Sequence, residues 1–593
     1  MGQFFKMVGA TIVGLLLWSL LFVIFAIIGI AGIASSESNV KIEENSILRI
    51  RLNGMMAERN ESSALSFLAG EGATVSLEQV LTAINKASKN ENIKGIYIEG
   101  GALSASPAML QEIRQALARF KKESKKWIVS YADSYTQGCY YVCSVADELY
   151  LNPSGMLDWH GLGGEITFYA DVLKKVGVKM QVFKVGTFKS AVEPYIGTEM
   201  SEPNREQVRS YLTSIWQVML KDVAESRKIS TNRLNALADT LTTFLPTATL
   251  VKEKMVTELF YKDQVRDRLK TKTERDEKEG LRFVSPSKMA RAEEDIEKRE
   301  DCIVVYYAHG DIVDDMTSSI TGANGACIAP EPMNRELETL RNDEQVKAVV
   351  IRVNSGGGSA FASEQIWHEI ERLKAKKPVV ISMGGMAGSG GYYISCGASR
   401  ILAEPTTLTG SIGIFGLIPD ASELMTEKIG LHYDGIQTNR YGNFGTMSRG
   451  MNEEESRMMQ NYIERGYDLF TRRVAEGRNI SQDSVKVIAE GRVWTGEQAL
   501  KIGLVDQLGD LQDAIREAAK LAKISDYNLY SLPEEKSFWS QLFGGEEEED
   551  GKDLMEMQLK ALLGELYEPF VTLRNLRSAN PVQARLPYLL RIE

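Results

Sequence analysis

PVVISMGGMAGSGGYYISCGASRILAEPTT, residues 378–407, reads as an apolar buried strand, a glycine-rich corner and then a helix of small and apolar residues. About 252 positions earlier, residues 127–155 repeat the design as WIVSYADSYTQGCYYVCSVADELYLNPSG. Tyr140 and Tyr141 fall on Tyr392 and Tyr393, and Pro153 on Pro405, without a gap. The likeness continues outward. SILRIRLNGMM (46–56) matches CIVVYYAHGDI (302–312), and IKGIYIEGGALSASPAMLQEIRQALARF (93–120) matches VKAVVIRVNSGGGSAFASEQIWHEIERL (346–373). Residues 200–230 likewise match 451–481. Strands alternating with helices indicate βαβ units on a largely parallel sheet, so the chain reads as two tandem α/β repeats.

The predicted boundaries are a first repeat at 46–262, a charged connector at 263–301, a second repeat at 302–523 and a tail at 524–593. The connector is expected to be a solvated helix or loop. In the tail, the acidic run at 546–550 reads as a linker and 553–570 as an amphipathic packing helix. Residues 1–45 hold the remaining signal. No charge occurs from 7 to 36, and 10–34 is long enough to span a bilayer as one uncleaved helix. The flanking charges lean toward a cytoplasmic amino terminus with the body outside. A net charge of -11 and a pI near 5.3 argue against nucleic acid as a partner. The five cysteines have neither metal-site nor disulfide-framework spacing, and Cys139 and Cys143 read as small buried hydrophobes. Neither a metal nor a cofactor is called for.

Chemistry concentrates at three places. Ser389 lies at a strand-to-helix corner among Gly388, Gly390 and Gly391, where backbone can approach a substrate and a helix start favours developing negative charge. The same pattern also suits a serine that merely caps the helix. Ala387 takes the first glycine position of a strict nucleophile elbow. Upstream, Gly357 and Gly358 in RVNSGGGSA could aim amides at an oxyanion; no phosphate-binding glycine pattern is present. A serine nucleophile needs a base, and none of the four histidines sits in a motif that marks it as one. Lys189, in VFKVGTFKSAVEPY, has apolar neighbours and could serve if desolvation lowered its pKa, although a lysine is ordinarily a solvated surface residue. The repeat register sharpens the choice: Ser389 faces Gln137, and Lys189 faces Tyr441. The first copy also lacks the glycine pair, having Ser104 and Ala105 there. One site divided between two copies explains both losses.

SMGGMAGSGGYYIS, TLTGSIGIFG (407–416) and VGTFKSAVEPY together resemble the signal peptide peptidase A (protease IV) family, peptidase family S49, in its long two-repeat bacterial form. The resemblance runs over essentially the whole chain. It implies two crotonase/Clp-protease-like repeats behind a single amino-terminal transmembrane helix, with a membrane-anchored serine protease working by a Ser/Lys dyad. It makes Ser389 the nucleophile, Lys189 the general base, Ser411 the residue that orients the lysine, and Gly357 and Gly358, with Gly390, the oxyanion hole. It further implies peptide substrates (remnant signal peptides), lipid contact through 10–34, a homo-oligomer (a homotetramer) and a periplasm-facing body on the bacterial inner membrane. Where the family has Ser-Pro-Gly-Gly, this chain has Ser355, Gly356, Gly357 and Gly358. The missing proline should loosen that loop by about 0.4–1 kcal/mol. A crotonase-like acyl-CoA enzyme would want a carboxylate near the glycine loops, and none stands out. A non-catalytic membrane scaffold is the reading from another class.

Overall fold

The computed structural model describes Trp18 and residues 41–59, 75–276, 279–292, 299–315, 327–446, 448–534 and 582–585. The expected membrane segment lies outside these residues apart from Trp18, as does the amphipathic stretch at 553–570. Among the described residues no helix is long and apolar enough to cross a membrane.

Each repeat builds its own sheet. The first runs Val75–Ser76, Ser46–Ala57, Ile93–Ser104, Trp127–Tyr135, Glu148–Leu157 and Glu258–Leu259, all parallel. The second runs Val493–Thr495, Leu408–Gly410, Val379–Gly388, Val346–Ser355, Cys302–His309 and Asn528–Leu532, parallel except at Val493–Thr495. Its central strands are largely apolar because helices cover both faces: Val349, Val350, Ile351, Val380 and Ile381 have no exposed surface. None of the five cysteines is in a disulfide, and Cys139 and Cys143 are fully buried.

The connector departs from the expected solvated segment. Arg282–Val284 adds a parallel strand beside Ser46–Leu48, and Met289, in the short helix after it, is buried. Phe283, Val284 and Met289 supply apolar anchors that the surrounding charges obscure in the sequence. The start of the tail is also structural, since Asn528–Leu532 is an edge strand of the second sheet.

A third sheet joins the repeats. Its order is Cys327–Ile328, Asp311–Ile312, Gly357–Ser359, Val582–Arg585, Phe415–Asp420 and Lys179–Lys184. Lys179–Lys184 belongs to the first repeat and runs antiparallel to Phe415–Asp420 of the second. The helix Pro107–Ser124 forms the other joint. Its Glu112 carboxylate receives Arg352 Nη2 at 2.6 Å, and Glu58 receives Arg352 Nε at 3.1 Å. Gln111 accepts the Thr406 hydroxyl at 2.8 Å, while Gln115 donates to Glu404 at 2.8 Å. Burial, reinforced by Glu112 and Asp510, pushes the Glu404 carboxyl well above the usual carboxylate range. Arg352 sits on the strand that leads to Gly357, which couples this polar joint directly to the glycine loop.

Candidate active site

Ser389 follows the strand Val379–Gly388 and precedes the six-residue helix Gly390–Ser395. The strand's last residue, Gly388, pairs with Gly410, and the Ser389 amide donates to the Gly410 carbonyl at 2.8 Å. This pins the serine at φ 55 and ψ -113, a conformation that costs a residue with a side chain about 1–3 kcal/mol. Its side chain makes no helix-capping bond. The capping reading left open by the sequence therefore fails. The hydroxyl instead meets the first repeat's lysine.

Lys189 Nζ lies 2.8 Å from Ser389 Oγ and 3.1 Å from both the carbonyl and the hydroxyl oxygens of Ser411. All three residues are fully buried. Among the described residues Lys189 has no ion-pair partner, and burial alone holds its amine well below the ordinary lysine range. Its loop is fixed from outside. Gln207 donates to the Phe188 carbonyl at 3.0 Å and to Ser190 Oγ at 2.9 Å, and it accepts the Val493 amide at 3.1 Å. The nearby carboxylate, Glu193, is turned to Ser201 and Asn204 instead. Gly491, at φ 77, lets the second repeat close on the lysine: a Cβ there would stand 2.6 Å from Lys189 Cβ. No sequence signal singles out Gln207 or Gly491. One is a polar residue on a long amphipathic helix and the other a loop glycine; only their tertiary neighbours give them meaning.

The glycine loop lies alongside. Gly357 has φ 96, and a Cβ there would approach the Gly390 amide nitrogen to 2.6 Å. Gly357 and Gly390 thus touch backbone to backbone, bringing the loop onto the serine corner. The Gly357 amide, however, donates to Ser355 Oγ at 3.1 Å. That corrects its expected part: the bond takes up the N–H assigned to the oxyanion and leaves Gly358 and Gly390 as the candidate donors.

A serine hydroxyl against a buried, desolvated amine, next to glycine amides, is equipment for attack on a carbonyl carbon. Such an arrangement is in keeping with a serine hydrolase. Comparison with known proteins narrows the class. The description Peptidase family S49 matches residues 120–276 and 371–525, one stretch in each repeat. The chain is 35% identical over 522 residues to Protease 4 of Salmonella typhi, covering 86% of this chain and 81% of that protein. It is 31% identical over 495 residues to the chloroplastic serine protease SPPA of Arabidopsis thaliana, covering 82% and 70%. Among solved structures it is similar to a ClpP1 mutant from Listeria monocytogenes at 16% identity, covering 36% of this chain and 94% of that one with a TM-score of 0.24. The chain belongs to peptidase family S49 and is a serine peptidase.

Proposed function

We propose that the protein hydrolyses peptide bonds with a Ser389/Lys189 dyad and that its substrates are signal peptides left after secretion. The observation that carries this reading is the 2.8 Å approach of a fully buried, unpaired lysine amine to the Ser389 hydroxyl. A neutral amine has two N–H groups and one lone pair. The two N–H groups are satisfied by the Ser411 carbonyl and hydroxyl oxygens, so Ser411 orients the base. The lone pair then faces Ser389 and takes its proton as Oγ attacks the substrate carbonyl. Amides at Gly358 and Gly390 stabilise the oxyanion. Lys189 returns the proton to the leaving amine, and water resolves the acyl-enzyme.

Each repeat is taken as crotonase/Clp-protease-like, consistent with the glycine loop and serine corner at the ends of two neighbouring parallel strands. Residues 10–34 anchor the chain in the bacterial inner membrane, with the body in the periplasm as part of a homotetramer. The test is labelling by a fluorophosphonate together with hydrolysis of a synthetic signal peptide in detergent. Wild type should label and cleave, and Ser389→Ala should do neither. Equal labelling of the two would overturn the assignment.

A further inference from the structure

Behind the dyad, the two repeats meet along one face of the helix Glu202–Arg227. Glu206, Gln207, Ser210 and Ser214 follow one another at helical spacing and engage Arg492, Val493, Gln498 and Thr495 of the second repeat. Arg492 stands where this seam meets the lysine loop. Its Nη2 lies 3.0 Å from a Glu206 carboxylate oxygen, and its guanidinium carbon lies 4.7 Å from the ring centre of Phe188 and 4.5 Å from that of Trp494. Glu206 is exposed, so that ion pair contributes little. Arg492 Nε is buried and makes no hydrogen bond among the described residues. A guanidinium that gives up a buried donor is placed by its flat contacts with the two rings more than by polar partners.

This one residue reaches every member of the site. Phe188 immediately precedes Lys189, and its amide donates to the Glu490 carbonyl at 2.9 Å. The Arg492 carbonyl accepts the Ser411 amide at 2.7 Å, which helps hold Ser411 at φ 50, a left-handed conformation unusual for serine. Trp494 packs on Gly410, where a Cβ would stand 2.8 Å from Trp494 Cδ1. Gly410 in turn carries the carbonyl that receives the Ser389 amide. Base, orienting serine and nucleophile are thus tied together from behind. Among the described residues, Arg492 bonds to neither the Lys189 amine nor the Ser389 hydroxyl.

Building on the Ser389/Lys189 reading, we infer that Arg492 is a positioning residue for the dyad: stacked on Phe188 and Trp494, it seats the lysine loop against the serine corner and keeps water from the amine. Burial is all that holds the Lys189 amine below its ordinary range, so its reactivity depends on how tightly the loop is seated. With the stack removed, Phe188 loosens, water reaches the amine and its pKa returns toward the ordinary lysine value. A base must be neutral to take the Ser389 proton, so activity lost at neutral pH is regained as pH rises. A residue that only stabilised the fold would leave that profile where it is. Charge is not what the position requires: a lysine could still pair with Glu206 but has no flat face to lay on two rings.

Fluorophosphonate labelling rates and hydrolysis of a synthetic peptide, each normalised to folded protein and followed from about pH 6 to pH 10, test this. Arg492→Ala should move the acid limb of both profiles up by about one pH unit or more, slowing labelling and kcat at pH 7 about tenfold or more while KM changes by less than about twofold. The gap should close toward the alkaline end. Arg492→Lys should behave like Arg492→Ala, and Phe188→Leu should move the limb in the same direction. The chain carrying both Arg492→Ala and Phe188→Leu should be no slower than the slower single variant, because one acts through the other. Should Arg492→Ala fail to fold, the other two single variants carry the same comparison. An unmoved acid limb in the folded variants overturns this inference alone, as does full activity in Arg492→Lys. A wild type that does not label overturns this inference and the dyad reading together.

Discussion

Ser389 and Gln137 stand at equivalent corners, each between a buried parallel strand and a short helix that carries a Tyr-Tyr pair. Their surroundings differ in kind. The helix Gln137–Cys143 starts conventionally, with Thr136 at φ -68, while Ser389 is forced to φ 55. Gln137 spends its amide on closing a loop: Oε1 accepts the His160 and Gly161 amides at 2.9 Å each, and Nε2 donates to the Gly161 carbonyl at 2.8 Å. Ser389 makes no comparable structural bond and meets Lys189. The lysine's own counterpart, Tyr441, lies at the surface with its hydroxyl on Glu454 at 2.7 Å. A corner that holds a strained serine is thus one the fold can build but does not require. Where chemistry is absent, the same position relaxes and is reused for packing.

The largest effect that tests this contrast is at Lys189. Lys189→Met keeps a long buried side chain but removes the base, and peptide hydrolysis should fall about ten-thousand-fold or more, as for a dyad member. The stability change has a definite sign. The folded-state pKa lies well below the ordinary lysine value, so between the two the unfolded chain binds one more proton than the folded one. Wild-type stability should therefore rise with pH across that window, and activity should fall as pH drops through the folded-state value. Lys189→Met should be more stable than wild type at pH 7, by a margin that vanishes as pH passes about 10.4. Denaturant unfolding at pH 7 and pH 10.5 measures the difference. A difference between variant and wild type that stays the same from pH 7 to pH 10.5 would mean the amine is charged in the fold.

Much of this contrast is legible in the sequence, and the part that is not has a common cause. The paired strands and helices, and the complementary residues at 389/137 and 189/441, stand out because hydrophobic period and repeat register are local signals. Ser389 is marked by its glycines. What stays hidden is whatever depends on a neighbour distant in sequence. Gln207 is one of many polar residues on a long helix, and only the Phe188 carbonyl, Ser190 and the Val493 amide make it the clamp of the lysine loop. The glycine pair invites an oxyanion role for the Gly357 amide, yet Ser355 Oγ, two residues away, takes that N–H instead. The charged connector hides a strand because Phe283 and Val284 are two apolar residues in a solvated context. Val582–Arg585 carries no strand signal of its own; its partners supply the pairing.

A smaller effect is expected at the joint that brings the two corners into one molecule. Arg352 is buried between Glu58 and Glu112 of the first repeat, and the Leu511 amide also donates to Glu112, at 3.0 Å. Removing Glu112 leaves Arg352 paired with Glu58 alone and strips the Leu511 amide of its acceptor, a loss of buried hydrogen bonds to a charged group that costs about 1.5–3 kcal/mol. Glu112→Ala should lower unfolding stability by that amount. Because Arg352 lies on the strand entering the glycine loop, activity should fall in the surviving folded fraction as well. Activity per folded molecule equal to wild type would show that the joint holds the repeats together without setting the loop. Glu112→Gln retains an acceptor for Arg352 and for the Leu511 amide, so it should recover part of both losses.

The smallest effect comes from trying to erase the difference between the corners. Gln137→Ser restores a hydroxyl at the position equivalent to the nucleophile, yet no lysine stands beside it and its helix starts at an unstrained Thr136. Introduced into the Ser389→Ala chain, it should restore neither hydrolysis nor fluorophosphonate labelling. Its cost should be structural: the His160 and Gly161 amides lose their acceptor, which for buried groups would be about 1–3 kcal/mol. His160 is exposed and Gly161 half-buried, so water replaces part of the lost bonding and the value should sit near the lower end. Thermal unfolding of the single and double variants measures it. Labelling that depends on the introduced hydroxyl would break the comparison, because reactivity would then follow from the corner alone. Its absence locates reactivity in what Gln137 never had, a left-handed backbone and a buried amine brought in from the other repeat.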